Sequence, residues 1–397
     1  MIGGITKSVL FGFLAFVLLK VFNFAEVFPQ IYSILKVLPS YLIIPIFATL
    51  GVVNFEKEGI KGLNSLRFTM FLSLLGAVQL SLGFGFGFFL EKFFPSLLPY
   101  KTFGYELSQG FAGGHSTAAG VAGIFRQFGV EYWQDAQGVT TAFATIGLLG
   151  GIFFGLFLAT GKVGLGFFKK NESKKTNGER ISFLHFAVCG LLMAAASFCG
   201  HFFSSFLRTN DVFMLKSMPA WSMALIFSYI FSGILKLTGC DLSKLKKSRT
   251  VFSGFFGEIA VFISIAVMKI EIVVNNLSQI MILSFLGFIA TYFLCFICLP
   301  KFFPKSTGNF QRGLVSFGAN TGVVITGILL LKASSSPDEN EVLTEFSAGF
   351  SLMCILTTLL SPITFFLLES GSLFANFAFS VFTAVVDLLF LFLLLKK

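Results

Sequence analysis

The sequence predicts an all-α polytopic membrane protein, an inverted-topology repeat with two re-entrant hairpins and about ten transmembrane helices. Three observations carry that expectation. Hydrophobic residues make up 55% of the 397 and charged residues only 12%, against roughly 25% charge in an average soluble domain. Mean hydropathy is correspondingly high, at +0.86. Two apolar stretches, 111–128 and 314–331, are rich in Gly, Ser, Thr and Asn, and each carries a single His or Asn mid-stretch. Those two stretches resemble each other, and so do the segments around them.

A helix needs about 20 apolar residues to cross a hydrocarbon core of roughly 30 Å. Runs at 8–24, 39–53, 68–90, 139–160 and 182–206 supply the first crossings, and 219–235, 251–268, 277–299, 346–368 and 373–395 the rest. The first follows Lys7 as a signal peptide would, but no small-residue cleavage site follows it, so it reads as a retained helix. The second is short and must borrow from 34–38 to span. The two polar-spotted stretches fit a different role. Unwound backbone survives at membrane depth only when buried in protein or lining a cavity, because lipid cannot satisfy N–H and C=O groups. Each is therefore expected to be a hairpin, the other reading being a glycine-rich packing helix.

The repeat favours hairpins. Gly113-Gly114-His115-Ser116 aligns with Gly318-Ala319-Asn320-Thr321 at an offset of 205. Upstream, Leu90-Glu91-Lys92-Phe93-Phe94-Pro95 aligns with Leu299-Pro300-Lys301-Phe302-Phe303-Pro304 at 209, and downstream Ala144 aligns with Ala348 at 204. The difference upstream reads as a small indel in the linking loop. Residues 1–161 then form an N-terminal repeat with its hairpin at 105–130, and 182–372 an inverted C-terminal repeat with its hairpin at 310–333. A linker at 162–181 joins them, and 373–397 adds a further transmembrane helix. The runs at 182–206 and 373–395 have no partner in the other half.

Charge sets the orientation. Of the net +10, residues 162–180 carry +4 and residues 236–249 another +4. That is the positive-inside pattern, with both loops cytoplasmic. No basic face with interleaved aromatics lies elsewhere, so no nucleic-acid partner is expected. With those loops inside and both hairpins re-entrant, 68–90 opposes 277–299, 139–160 opposes 346–368, and the hairpins enter from opposite faces. Lys301, Lys305, Lys396 and Lys397 fall inside; so do the acids Asp338, Glu339, Glu341 and Glu345, which weigh little in the rule. The six cysteines, Cys189, Cys199, Cys240, Cys295, Cys298 and Cys354, mostly sit in apolar runs. Cys295 and Cys298 form a C-x-x-C, but no second pair or nearby His completes a tetrahedral metal site. They read as small buried hydrophobes.

The candidate site lies at the two motifs. Gly113 and Gly114 let the backbone turn and let a ligand approach closely. A helix starting near Ser116 or Thr117 would aim its N–H groups at that turn, a geometry suited to a carboxylate. The hydroxyls of Ser116 and Thr117 can coordinate Na⁺ or hydrogen-bond the ligand. His115 reads as a ligand contact or proton site, or as a hydrogen-bonded packing residue. A Ser–His hydrolase is excluded, since adjacent residues cannot face each other and no intramembrane Asp lies near. The second motif, Gly318, Asn320, Thr321 and Gly322 followed by Thr326-Gly327, repeats the recipe with Asn320 in place of His115. Cation coupling is assigned to Ser116, Asn320, Thr326 and Glu258. Glu258 is the one acid well inside a paired helix; it is protonated, binds a cation, or sits near an aqueous interface. Gln79 is a weaker polar candidate, and Asp387 has no evident partner. Gly147, Gly151 and Gly155 lay a smooth stripe for packing against a hairpin-bearing unit.

GGHSTA at 113–118, ATIGLLGG at 144–151 and GANTGVVITG at 318–327, in that order and spacing, resemble the bacterial sodium/glutamate symporter family over about 39–361. The resemblance implies Na⁺-coupled glutamate uptake by alternating access, with two re-entrant loops in an inverted repeat. It implies a bacterial inner-membrane, multi-pass protein that is not an enzyme and has no cofactor beyond Na⁺ as coupling ion. The expected partners are a small carboxylate, Na⁺, the lipid bilayer and a second copy in a homodimer. Ser116 departs from the family's GGHGTA, the family's first helix has no counterpart before residue 8, and 373–395 is additional. The alternative functions are an H⁺-coupled carrier of another organic anion, using His115 or Glu258, and, from other classes, a channel or a membrane scaffold.

Overall fold

A computed structural model describes residues 2–50, 62–160, 182–239, 241–304 and 306–396. The basic loop at 162–180, Cys240, Lys305, Lys397 and the predicted end of the second crossing at 51–53 lie outside the described residues. The chain is all-α there, with ten helices long and apolar enough to cross a membrane among the described residues. Helix α1 is Ile2–Val21, α2 Pro29–Leu50 and α3 Leu63–Phe93. Hairpin A occupies Tyr105–Gln127 and is followed by α4, Trp133–Thr160. Helices α5, α6 and α7 are Phe183–Thr209, Ala220–Leu237 and Lys246–Ala266. Helix α8, Leu277–Phe302, precedes hairpin B at Asn309–Ala333; α9, Glu339–Glu369, and α10, Leu373–Leu395, close the chain. The first predicted crossing shifts: α1 starts and ends earlier than 8–24, and only Leu10–Val21 is strongly apolar.

Both hairpins fold back on themselves. In hairpin A, Thr117 Oγ1 donates to the Gln109 carbonyl at 2.5 Å, and the rings of Tyr105 and Phe125 lie 6.1 Å apart. A continuous helix would separate that aromatic pair by about 30 Å. In hairpin B, a Cβ on Gly318 would stand 2.7 Å from Gly327 Cα, where a straight helix places those residues about 13 Å apart. Hairpin B is long and apolar enough to span, yet it turns back halfway.

Equivalent helices of the two halves run in opposite directions. Helix α8 runs antiparallel to α3: Phe68 meets Phe303 at 5.4 Å, Gln79 meets Thr291 at 3.1 Å, and Gln279 Nε2 donates to the Leu97 carbonyl at 3.0 Å. Two apolar cores mark the ends of the molecule. One gathers Phe68, Phe303, Leu314, Leu330, Leu331 and Phe346, so both arms of hairpin B open there. The other gathers Leu90, Phe103, Tyr105, Phe125, Val139 and Leu368, so both arms of hairpin A open at the opposite end. Helix α4 runs from the second core to the first, and α9 from the first to the second. The inverted arrangement follows from these pairings.

Helix α10, which has no counterpart in the first half, lies antiparallel along α3: Arg67 Nη2 donates to the Leu394 carbonyl at 2.9 Å and Ser81 Oγ to Ser380 Oγ at 3.1 Å. Near the first core, Arg312 of hairpin B is fully buried, with Nη2 2.7 Å from Glu345 Oε2 and 3.9 Å from Glu341 Oε1. Thr307 donates to Asp338 at 3.1 Å. The acids Asp338, Glu341 and Glu345 are thus partly answered by hairpin B and the loop ahead of it. Cys295 is buried in the same core, between residues that are almost all apolar.

The internal register differs from the one read in the sequence. The helical path breaks in hairpin A at Gly114 (φ 67°, ψ −159°) and in hairpin B at Gly322 and Val323 (φ 68°, ψ 162°). Gly114 therefore corresponds to Val323, at the 209 offset of the upstream motif, and no indel precedes the turn. A Cβ on Gly113 would meet Thr117, and one on Gly322 would meet Thr326, again 209 apart. The pairing of Gly113-Gly114-His115-Ser116 with Gly318-Ala319-Asn320-Thr321 is replaced. Asn320 does not stand in for His115; it precedes its break, whereas His115 follows its own.

Candidate functional site

The two breaks meet. A Cβ on Gly114 would stand 2.5 Å from Val323 Cγ1, so the left-handed turns of the hairpins press on one another. At Gly114 positive φ and the neighbouring valine both demand glycine. Helix α4 carries both hairpins. Its Thr140 carbonyl, Phe143 and Ala144 would crowd a Cβ on Gly110 of hairpin A, and a Cβ on Gly147 would stand 2.3 Å from the Thr321 carbonyl oxygen of hairpin B. Gly151 faces Thr321 Oγ1 and Gly155 faces Leu330. The glycine stripe is the seat of hairpin B, as its spacing suggests.

A break leaves carbonyl groups ahead of it and N–H groups behind it without helical partners. In hairpin A, Ser116 Oγ donates to the Gly113 carbonyl at 3.2 Å, and Thr117 Oγ1 shares its one proton between the Gly114 carbonyl at 2.8 Å and the Gln109 carbonyl at 2.5 Å. These hydroxyls spend their protons on the turn and keep lone pairs to offer. His115 is 5% exposed, and its Nε2 lies 3.0 Å from Thr145 Oγ1. Thr145 Oγ1 also lies 2.9 Å from the Thr141 carbonyl, and a hydroxyl donating there accepts from Nε2–H of the imidazole. His115 thus tethers the start of the second arm to α4.

Hairpin B is more deeply buried. Asn320 Nδ2 donates to the Ser316 carbonyl at 3.0 Å, Thr321 Oγ1 to the Phe317 carbonyl at 2.8 Å, and Thr326 Oγ1 to the Gly322 carbonyl. Gly318, Asn320, Thr321, Gly322 and Thr326 are all buried. Gln79 of α3 reaches this arm: its Nε2 donates to the Asn320 carbonyl at 2.8 Å and to Thr291 Oγ1 at 3.1 Å. Gln79 Oε1 is buried without a partner. One residue thereby joins both halves at the backbone beside the break.

The structure therefore gathers the hairpin residues, and Glu258 lies on a neighbouring helix. Glu258 is half-buried on α7, which packs against α1, α2 and hairpin A, and it makes no hydrogen bond or ion pair among the described residues. Asp387, buried on α10, faces Ser73 of α3 while its Oδ2 has no partner. Two residues escape the sequence reading. Thr145 lies inside ATIGLLGG, whose glycines draw the eye first. Glu106 opens hairpin A and is fully buried, accepting from the Gly104 N–H at 2.9 Å with Oε2 while Oε1 has no partner. Its signal is an acid five residues ahead of the apolar stretch read from Phe111.

Comparison with protein-family models, curated proteins and solved structures returns no match. Fold and site still define a class: an all-α, multi-pass membrane protein in which two opposed hairpins meet at their broken tips.

Proposed function

We propose that this protein is a secondary active transporter that carries a small carboxylate, glutamate or a relative, together with Na⁺ by alternating access. The observation that carries the reading is the meeting of Gly114 and Val323, two helix breaks brought together from opposite ends. Broken half-helices in inverted repeats place positive N-terminal ends toward anionic groups and free carbonyls toward cations. The N–H groups of the arm that starts at His115 suit the carboxylate. Gly113, Ser116 and Thr117 are only partly buried and are open to a ligand. Carbonyl groups ahead of the hairpin B break and the unpaired Gln79 Oε1 are neutral oxygens of the kind Na⁺ takes. Cation binding would order the tips, and ordered tips would hold the carboxylate, which makes the two ligands bind cooperatively.

Lys301 lies at the end where hairpin B opens, and with the basic loops read as cytoplasmic that end would face the cytoplasm. The proposed location is a bacterial inner membrane. Labelled glutamate should accumulate in proteoliposomes under an inward Na⁺ gradient; uptake of a different carboxylate keeps the mechanism and changes the cargo.

A second reading rests on Glu106, whose buried carboxyl has no cationic partner among the described residues. Such a group suits H⁺ coupling. Full uptake with choline in place of Na⁺ would select it.

A further inference from the structure

A cleft of about 220 Å³ opens well away from the tips. It lies between α2, the second arm of hairpin A, α5 and the start of α6, and its lining includes Tyr41, Arg126, His201, Ser204, Arg208 and Trp221. Arg126 ends the arm that begins at His115, about 17 Å along the helix from the break. Its guanidinium donates to Ser40 Oγ at 3.3 Å and Tyr41 OH at 3.2 Å and lies over the Tyr41 ring at 5.2 Å. All these partners are neutral, and no carboxylate pairs with Arg126 among the described residues. Arg208, on α5, donates to the Gln127 carbonyl and, at 3.3 Å, to the Lys216 carbonyl; Glu369 approaches it only to 4.0 Å. Two donors of this lining, Arg208 Nε and Trp221 Nε1, are buried without partners.

Two guanidinium groups on separate elements, in a lining that also holds an unpaired indole N–H, make a concave site that is net positive. Guanidinium forks match carboxylate geometry, and a low-dielectric cleft lined by one sign of charge concentrates counter-ions. We infer that this cleft binds a small organic dicarboxylate, one carboxylate to Arg126 and one to Arg208, and serves as a loading site before the hairpin tips. The loading role rests on the transport reading; the binding does not. The cleft lies where hairpin A opens, opposite the end where hairpin B opens, which in the orientation proposed above is the side from which an imported anion arrives.

The test is isothermal titration calorimetry of succinate and glutamate on the full chain in phosphatidylcholine nanodiscs. Asn320→Ala, altered only at hairpin B, should keep this binding. Arg126→Gln should weaken it at least 10-fold, and Trp221→Phe, which removes the N–H but keeps an aromatic ring against Phe47 and Phe365, should weaken it severalfold. Arg208→Gln releases the Gln127 carbonyl, so Trp221→Phe serves as the second variant. Unchanged affinity in both Arg126→Gln and Trp221→Phe overturns the site. Stabilisation by phosphatidylglycerol with no succinate binding also overturns it, since the arginines would then hold a lipid headgroup. In uptake assays Arg126→Gln should raise KM about 10-fold with kcat held; an unchanged KM refutes loading. Arg126-dependent binding in a protein that transports no carboxylate would sink the transport reading and leave the site standing.

Discussion

At the scale of single residues, the tips depend on groups that have no slack. Gly114 combines a left-handed backbone with a Cβ position 2.5 Å from Val323. Gly114→Ala should therefore destabilise the protein by ~1–3 kcal/mol, read as a lower Tm in detergent, and should abolish uptake. Gly76→Ala, where no atom lies within 4 Å of the new methyl, is the matched control and should change neither. Gln79→Leu leaves the Asn320 carbonyl buried without its donor, at a cost of ~1–3 kcal/mol. It should also raise the Na⁺ concentration for half-maximal uptake about 10-fold; an unchanged Na⁺ dependence would remove Gln79 from the cation site. Glu106 is buried without a cation, so Glu106→Gln should keep the Gly104 hydrogen bond and fold normally. Glu106→Ala should lose ~1–3 kcal/mol. If Na⁺ is the only coupling ion, Glu106→Gln also keeps uptake; loss of uptake in a folded protein would move the account to H⁺ coupling.

At the scale of elements, the fold was readable where chemistry marks it. Glycine pairs and hydroxyls inside an apolar run announce hairpin A, because such residues are wasteful in a lipid-facing helix. Hairpin B was found by resemblance to it, but its register was not. The residue that turns left-handed there is Val323, a β-branched side chain that sequence reasoning never assigns to positive φ, while Gly318 looks like the turn and is in fact an arm residue packed on Gly327. The Gly147 stripe was legible from spacing alone. Its target, Thr321, was not, because contact between the halves is set by the three-dimensional inversion. Glu258 stands out as an intramembrane acid on a helix that packs against α1, α2 and hairpin A, and it makes no hydrogen bond or ion pair among the described residues. A cross-link tests the hairpins directly. In a cysteine-free background, Tyr105→Cys with Phe125→Cys should be joined by a bifunctional reagent spanning about 8 Å, which could not bridge the ~30 Å of a straight helix.

At the scale of the whole molecule, neither half makes a site alone. Helix α4 of the first half seats hairpin B of the second, Gln79 of the first half holds the Asn320 carbonyl, and the two turns touch. Hairpin A also carries Arg126 at its far end, so a single arm links the outer cleft to the tips. Interlocked halves of opposite orientation can expose one central site to either face by moving against each other, and that motion is the central claim. The measurement that tests it most directly is accumulation of labelled carboxylates by proteoliposomes holding the purified protein, with an inward Na⁺ gradient. The account predicts uptake above the external concentration that collapses when the gradient is dissipated. Equilibration without accumulation for every carboxylate, with or without Na⁺ or a pH gradient, would contradict it.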